Sequence, residues 1–217
     1  MAFQSKTFLD RIPPVTRSLL IINVVMFVAT LINKEFMIGT FAMFYPAAQW
    51  FRWWQPLTHM FMHGGWWHII FNMYTLVMFG MVVERALGTK KFLILYFLTG
   101  LGAVALHTGV EWMTVRGLTD PAALYDLYRT PMVGASGAIY GVLVAFAMLY
   151  PEARMTLLFP PVTLDAKWMV IIFVGIELLT GITGTRLGIA HFAHLGGALF
   201  GFLLILYWRK RGELWRR

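Results

Sequence analysis

Long apolar runs separated by short polar, proline- or glycine-containing breaks dominate this sequence. Residues 1–16 are mixed and polar, and Pro13-Pro14 exclude a helix interior there. The first apolar run extends from about Arg17 to Ile32, short for the roughly 20 residues that cross hydrocarbon. It begins late and no clear small-residue cleavage site follows, so it reads as a retained span and not a signal peptide. The pattern predicts further spans at Trp66–Leu87, Lys91–Val110, Gly134–Tyr150, Lys167–Thr185 and Ala190–Trp208, punctuated by Glu84, Arg85, Gly88, Lys90 and Pro151. A polar loop is expected over Glu111–Thr130. The connection Asn33–Gly65 carries Phe36, Phe41, Phe44, Tyr45, Trp50, Phe51, Trp53 and Trp54, yet Pro46, Pro56, Arg52 and Gln55 argue against a spanning helix. Such aromatic content suits the headgroup layer, so a membrane-embedded first loop is expected. Without internal repeats, the expected organisation is a short N-terminal segment (1–14), one six-span domain (15–208) and a basic tail (209–217).

Composition fixes the class. The chain is 59% hydrophobic and 13% charged, with mean hydropathy +0.68, whereas charged residues make up about a quarter of soluble domains. An all-α polytopic membrane protein with six transmembrane helices follows. There is no cysteine, which removes disulfides, a thiol nucleophile and Cys-ligated metal. The net charge of +8 does not point to nucleic acid, because the basic residues stand at the ends of apolar runs instead of forming one patch. Of the 18 Lys and Arg, 13 fall on the side of the termini and even-numbered loops and five on the other. The positive-inside rule therefore places both termini in the cytoplasm and the starts of the fourth and sixth spans at the outer face.

Chemistry concentrates at three places. Gly134-Ala135-Ser136-Gly137 opens the fourth span, where the first backbone N–H groups of a helix lack intrahelical partners and favour developing negative charge. That suits a nucleophile whose attack creates an oxyanion, although Gly and Ser also occur where membrane helices simply pack closely. In the sixth span His194, Gly197 and Gly201 form one stripe, and Gly134, Gly137 and Gly141 repeat that spacing in the fourth. Two such stripes permit close approach of the helices, bringing His194 within reach of the Ser136 proton; an interhelical hydrogen bond is the plainer alternative. His68 and Asn72, at i and i+4, share a face at the outer start of the second span and could donate to an oxyanion beside the Ser136 N–H. His59, His63 and His68 invite a metal reading, but the HExxH spacing is absent and no carboxylate lies nearby, so no metal or cofactor is expected. No Asp lies in any span, leaving a dyad; Glu177, in mid-span, reads as a structural carboxyl.

Together the Gly-x-Ser-Gly opening, His194 with Gly197 and Gly201, His63, His68 and Asn72, and the aromatic first loop resemble the rhomboid intramembrane serine proteases over roughly Val15–Trp208. The resemblance implies a six-helix rhomboid bundle whose short fourth helix lifts Ser136 into a water-filled cavity. It implies Ser136 as nucleophile, His194 as general base, His68, Asn72 and the Ser136 amide as oxyanion hole, Tyr140 packed on the His194 ring, and structural parts for His63 and Gly134. It further implies cleavage of transmembrane segments of single-span membrane proteins near their outer end, with a small residue before the scissile bond and helix-weakening residues after it. The partners are then those segments and the lipid bilayer, and the minimal form points to a bacterial inner (plasma) membrane. The fifth helix and the loop Gly181–Ala190 are the expected moving parts. Trp54-Gln55 departs from the Trp-Arg of many family members and removes expected loop-bracing donors, whereas Glu84-Arg85 keeps the family's Glu-Arg pair. A relative that binds membrane helices without cutting them is the alternative, disfavoured because serine and histidine are both kept; a transporter would need paired broken helices.

Overall fold

The computed structural model describes residues 7–157, 161–183 and 189–214. A single turn, α1 (Phe8–Arg11), precedes α2 (Pro14–Ile32), which starts on a proline whose missing N–H costs nothing at that position. The first loop holds α3 (Lys34–Phe41), α4 (Gln55–Thr58) and a 3₁₀ turn, His59–Phe61. The second span is α5 (Trp66–Thr75), a π-helical stretch Leu76–Gly80 and α6 (Met81–Leu87) in direct succession. Next come α7 (Thr89–Gly117), α8 (Pro121–Arg129), α9 (Ser136–Leu149), the two-stranded hairpin β1 (Arg154–Thr156) with β2 (Thr163–Asp165), α10 (Ala166–Thr183) and α11 (Ile189–Lys210).

Among the described residues five helices are long and apolar enough to cross a membrane, namely Pro14–Ile32, Trp66–Leu87, Thr89–Gly117, Ala166–Thr183 and His191–Lys210, and α9 is a shorter apolar sixth. The architecture is thus all-α and polytopic. At 14 residues α9 is only about 21 Å long, roughly 9 Å short of a 30 Å hydrocarbon layer. A helix this short needs cover on all sides, and it has it. Residues Gly137–Ile139 and Gly141–Ala147 of α9 are buried, between α7 and α11. The outer helices instead turn large apolar side chains outward, among them Val25 and Val28 of α2 and Ile171 and Leu179 of α10.

Glycine sets the spacing of this centre. A Cβ on Gly201 would stand 2.7 Å from the Gly141 carbonyl oxygen, one on Gly196 would stand 2.5 Å from that of Gly102, and one on Gly197 would overlap Gly137. The expected seam between the fourth and sixth spans is present, with one correction: Gly134 lies before the helix begins and is not part of its stripe.

Other expectations need revision. The polar loop over Glu111–Thr130 is mostly helical, because α7 runs on to Gly117 and α8 follows. Apolar residues continue at Trp112, Met113 and Val115, and the carboxyl of Glu111 finds a partner within its own helix in His107 Nε2 at 3.4 Å. The hairpin is also unanticipated. Arg154 and Asp165 face each other across it in an ion pair at 3.0 Å. Glu84 does more than end a span: it accepts from the Val15 and Thr16 N–H groups at 3.0 and 2.7 Å and from Thr16 Oγ1, capping α2 from a distance, while Arg85 donates to the Arg11 carbonyl.

The first loop is braced despite its Gln. Gln55 is completely buried; its Oε1 accepts from Arg52 N–H at 3.1 Å and its Nε2 donates to the Trp50 carbonyl at 3.0 Å. Trp54 Nε1 donates to the Thr40 carbonyl, and Tyr45 stacks on Tyr128 of α8 with centroids 5.5 Å apart. Trp53, Trp66 and Trp67 are exposed, as side chains of an interfacial belt would be. Of the loop expected to move, residues 184–188 lie outside the described residues.

Candidate active site

The segment leading into α9 is fixed from two sides. Met43 and Met132 exchange backbone hydrogen bonds at 3.0 and 2.8 Å, tying the first loop to it, and the Gly134 N–H donates to the His59 carbonyl at 3.0 Å. Gly134 then turns the chain with φ +129°, and a Cβ there would lie 2.8 Å from His68 Nε2. Glycine is required on both counts. Ser136 is the first residue of α9, and no side chain caps that end. The N–H groups of the first turn are left available to a ligand.

His194, on α11, faces it across the glycine seam: Nε2 lies 2.8 Å from Ser136 Oγ. The imidazole stacks on Tyr140, one turn along α9, with centroids 4.5 Å apart and planes at 9°. A cavity of about 200 Å³ opens beside the pair, lined by Ser136, His194, Gly134, His59, His68 and Ala103 among others. That volume accommodates water. His68 Nδ1 accepts from the Gly64 N–H at 3.4 Å, which leaves Nε2 as the donor turned to Gly134. Asn72, one turn further along α5, is buried with its amide nitrogen unpartnered, but it does not line the cavity. His63 is buried and packs edge-on to His68 at 5.0 Å between centroids, a supporting position.

The site also contains residues that sequence reasoning did not join to it. Glu177 of α10 accepts from Tyr140 Oη at 2.5 Å, and its Oε1 lies 3.0 Å from His194 Nδ1. That last approach is of ion-pair length without the ring N–H aligned on the oxygen, so it is a close electrostatic contact more than a formed hydrogen bond. His191 Nδ1 meets the other carboxylate oxygen. The available signal was that an acid in mid-span demands a partner, and that His191 and His194 share a face at i and i+3. Glu177, His191 and His194 also have donor atoms within 4.8 Å of one another, compact enough to hold a metal ion. Among the described residues, His59, His63 and His68 form no such group.

A nucleophile-capable hydroxyl, a base on its proton, free helix N–H groups and a neighbouring imidazole donor are the parts of an acyl-transfer site. The rhomboid domain family matches residues 50–211, which contain all of them. The chain is 29% identical over 154 residues to rhomboid protease AarA of Providencia stuartii, covering 70% of this chain and 54% of that protein. It is 34% identical over 153 residues to the mitochondrial presenilin-associated rhomboid-like protein A of Danio rerio, covering 68% and 37%. Identity to the mitochondrial RHOMBOID-like protein 12 of Arabidopsis thaliana is 32% over 171 residues, covering 76% and 49%. The chain spans about half or less of the length of these relatives. With a match over most of its length and a membrane-embedded bundle to carry it, the chain belongs to the rhomboid family.

Proposed function

We propose that this protein is an intramembrane serine endopeptidase that cleaves transmembrane segments of single-span membrane proteins near their outer end. The observation that carries the reading is the 2.8 Å contact between Ser136 Oγ and His194 Nε2 beside a cavity at the start of a short, buried helix. In the proposed reaction His194 takes the Ser136 proton as Oγ attacks the scissile carbonyl carbon. The resulting oxyanion is met by the Ser136 N–H and by His68 Nε2, with Asn72 as a further donor once substrate enters. Collapse passes the proton to the leaving amine and leaves an acyl-enzyme, which water hydrolyses by the same steps in reverse order. Gly134 and Tyr140 hold Ser136 and His194 in register, His63 supports His68, and Gly197 and Gly201 permit the approach. A helix in lipid satisfies its own backbone groups, so the substrate segment must unwind locally before attack.

The asymmetry of basic residues supports cytoplasmic termini and a site that opens outward. We place the protein in a bacterial plasma membrane; fractionation of tagged protein with an organelle membrane would reject that. The domain proposed is 15–208, flanked by 1–14 and the tail 209–217. The test of activity is cleavage of a single-span reporter in liposomes by wild type, Ser136→Ala and His194→Ala, with fluorophosphonate labelling in parallel. Cleavage and labelling by wild type alone support the proposal. Unimpaired cleavage by either variant rejects the serine mechanism, and absence of both cleavage and labelling in wild type favours a helix-binding protein without catalysis.

A further inference from the structure

Glu177 is an acid in contact with the catalytic pair to which the mechanism above gives no part. It extends from the middle of α10, and its side chain is only 12% exposed. Its oxygens meet donors on two other helices: Tyr140 Oη of α9 and, from α11, Nδ1 of both His191 and His194. A carboxylate withdrawn from water this far is tolerated only when paired and hydrogen-bonded, and here Tyr140 Oη and His191 Nδ1 hydrogen-bond it while His194 Nδ1 stands in close electrostatic contact. The convergence is also specific. The imidazole whose Nε2 addresses Ser136 is the one whose Nδ1 lies 3.0 Å from Glu177 Oε1.

For His194 to take a proton from Ser136, Nε2 must present its lone pair, so the ring proton must sit on Nδ1. A carboxylate facing Nδ1 favours that tautomer, resists rotation of the ring and stabilises the imidazolium formed during attack. Tyr140 serves twice, stacking on the imidazole and donating its hydroxyl to Glu177 Oε1. His191 anchors the second oxygen, so the carboxylate cannot swing away without losing both holders.

We propose that Glu177 is a positioning residue that orients and polarises His194, making the site a Ser136–His194–Glu177 relay and not a dyad. The inference rests on the serine-peptidase reading. The competing account is that Glu177 only fastens α10 to α9 and α11, and kinetics separate the two. Glu177→Gln keeps the size and removes the charge; Glu177→Asp keeps the charge on a shorter arm. On the liposome reporter, Glu177→Gln should lower kcat on the order of 10²- to 10⁴-fold, as in triads that lose their carboxylate, with KM changed less than about threefold. Glu177→Asp should recover at least about tenfold of that loss. Fluorophosphonate labelling of Ser136 should fall in parallel, because it needs the Ser136–His194 proton transfer but no peptide. Glu177→Gln within about threefold of wild type overturns the proposal. So does equal loss in both variants accompanied by an equal fall in thermal midpoint, which is the signature of a fastener. Should Glu177→Gln fail to fold, Glu177→Asp decides alone: slowed labelling at an unchanged midpoint supports the relay, and unslowed labelling rejects it. Absence of labelling in wild type would instead reject the serine reading itself, before any variant is compared.

Discussion

A close backbone approach beneath the site offers a direct test of how it is held together. Gly201 lies two turns beyond His194 on α11, against Gly141 of α9. A Cβ there would stand 2.7 Å from the Gly141 carbonyl oxygen and 2.8 Å from its Cα, where ordinary contact begins at 3.4 Å. The obstacle is backbone, with no side chain to swing aside, so Gly201→Ala must part the helices by about 0.5 Å or more. Alanine is the better helix former by up to about 1 kcal/mol, while overpacking costs about 1–3 kcal/mol, so the expected net destabilisation is about 1–2 kcal/mol. Activity should suffer more. Adding about 0.5 Å to the 2.8 Å Ser136–His194 contact takes it past the useful hydrogen-bond range. Since a misplacement of about 1 Å can cost about 10²-fold, a loss of roughly tenfold in fluorophosphonate labelling is expected. Gly175→Ala is the control: nothing lies within 4 Å of a Cβ at that position on α10, so activity should be kept and stability unchanged or slightly raised. If Gly201→Ala labels and melts like Gly175→Ala, the glycine seam does not set the site's geometry.

Three further outcomes are expected. Gln55→Ala should destabilise the protein by about 2–3 kcal/mol in denaturant titration, because it strands the Arg52 N–H and the Trp50 carbonyl inside the first loop. Glu84→Ala should cost about 2 kcal/mol or more by freeing the first N–H groups of α2, with labelling of the folded fraction retained, since Glu84 is remote from Ser136 in the chemistry; loss of labelling at full stability would refute this division. Burial in the first loop pushes the His59 imidazole down to about 4, so the folded protein resists its protonation. Stability from that group is complete above the unfolded value of 6.5 and is lost as pH falls from there toward 4, by about 3 kcal/mol; His59→Asn should flatten that part of a stability–pH curve.

How far these features were legible in the sequence depends on what carries them. Span positions follow from apolar length, which is local, and they hold to within a few residues except where a polar residue finds a partner inside its own helix. Glu111 reads as a loop residue until His107, four residues earlier, is seen to face it. The bracing of the first loop departs from the sequence expectation for a related reason. The absence of an arginine after Trp54 suggested lost donors, whereas Gln55 supplies both a donor and an acceptor, and a buried amide satisfies carbonyls and N–H groups together.

The site divides along the same line. Ser136 and His194 announce themselves because His194 stands in a glycine-spaced stripe and Ser136 directly beside another, and a stripe is visible along one chain. Glu177 belongs to no stripe: it sits alone in an otherwise apolar helix, and its meaning lies in two elements 37 and 14 residues away. Yet physical cost narrows the possibilities even there. An acid in mid-span must be paid for by donors, and among the described residues of the neighbouring helices the phenol of Tyr140 and the imidazoles of His191 and His194 are the donors that reach it. A carboxylate placed only to fasten helices has no need of the base's second nitrogen. One that faces it, with Ser136 on the opposite side of the same ring, is placed where any charge developing on that ring during attack would be felt.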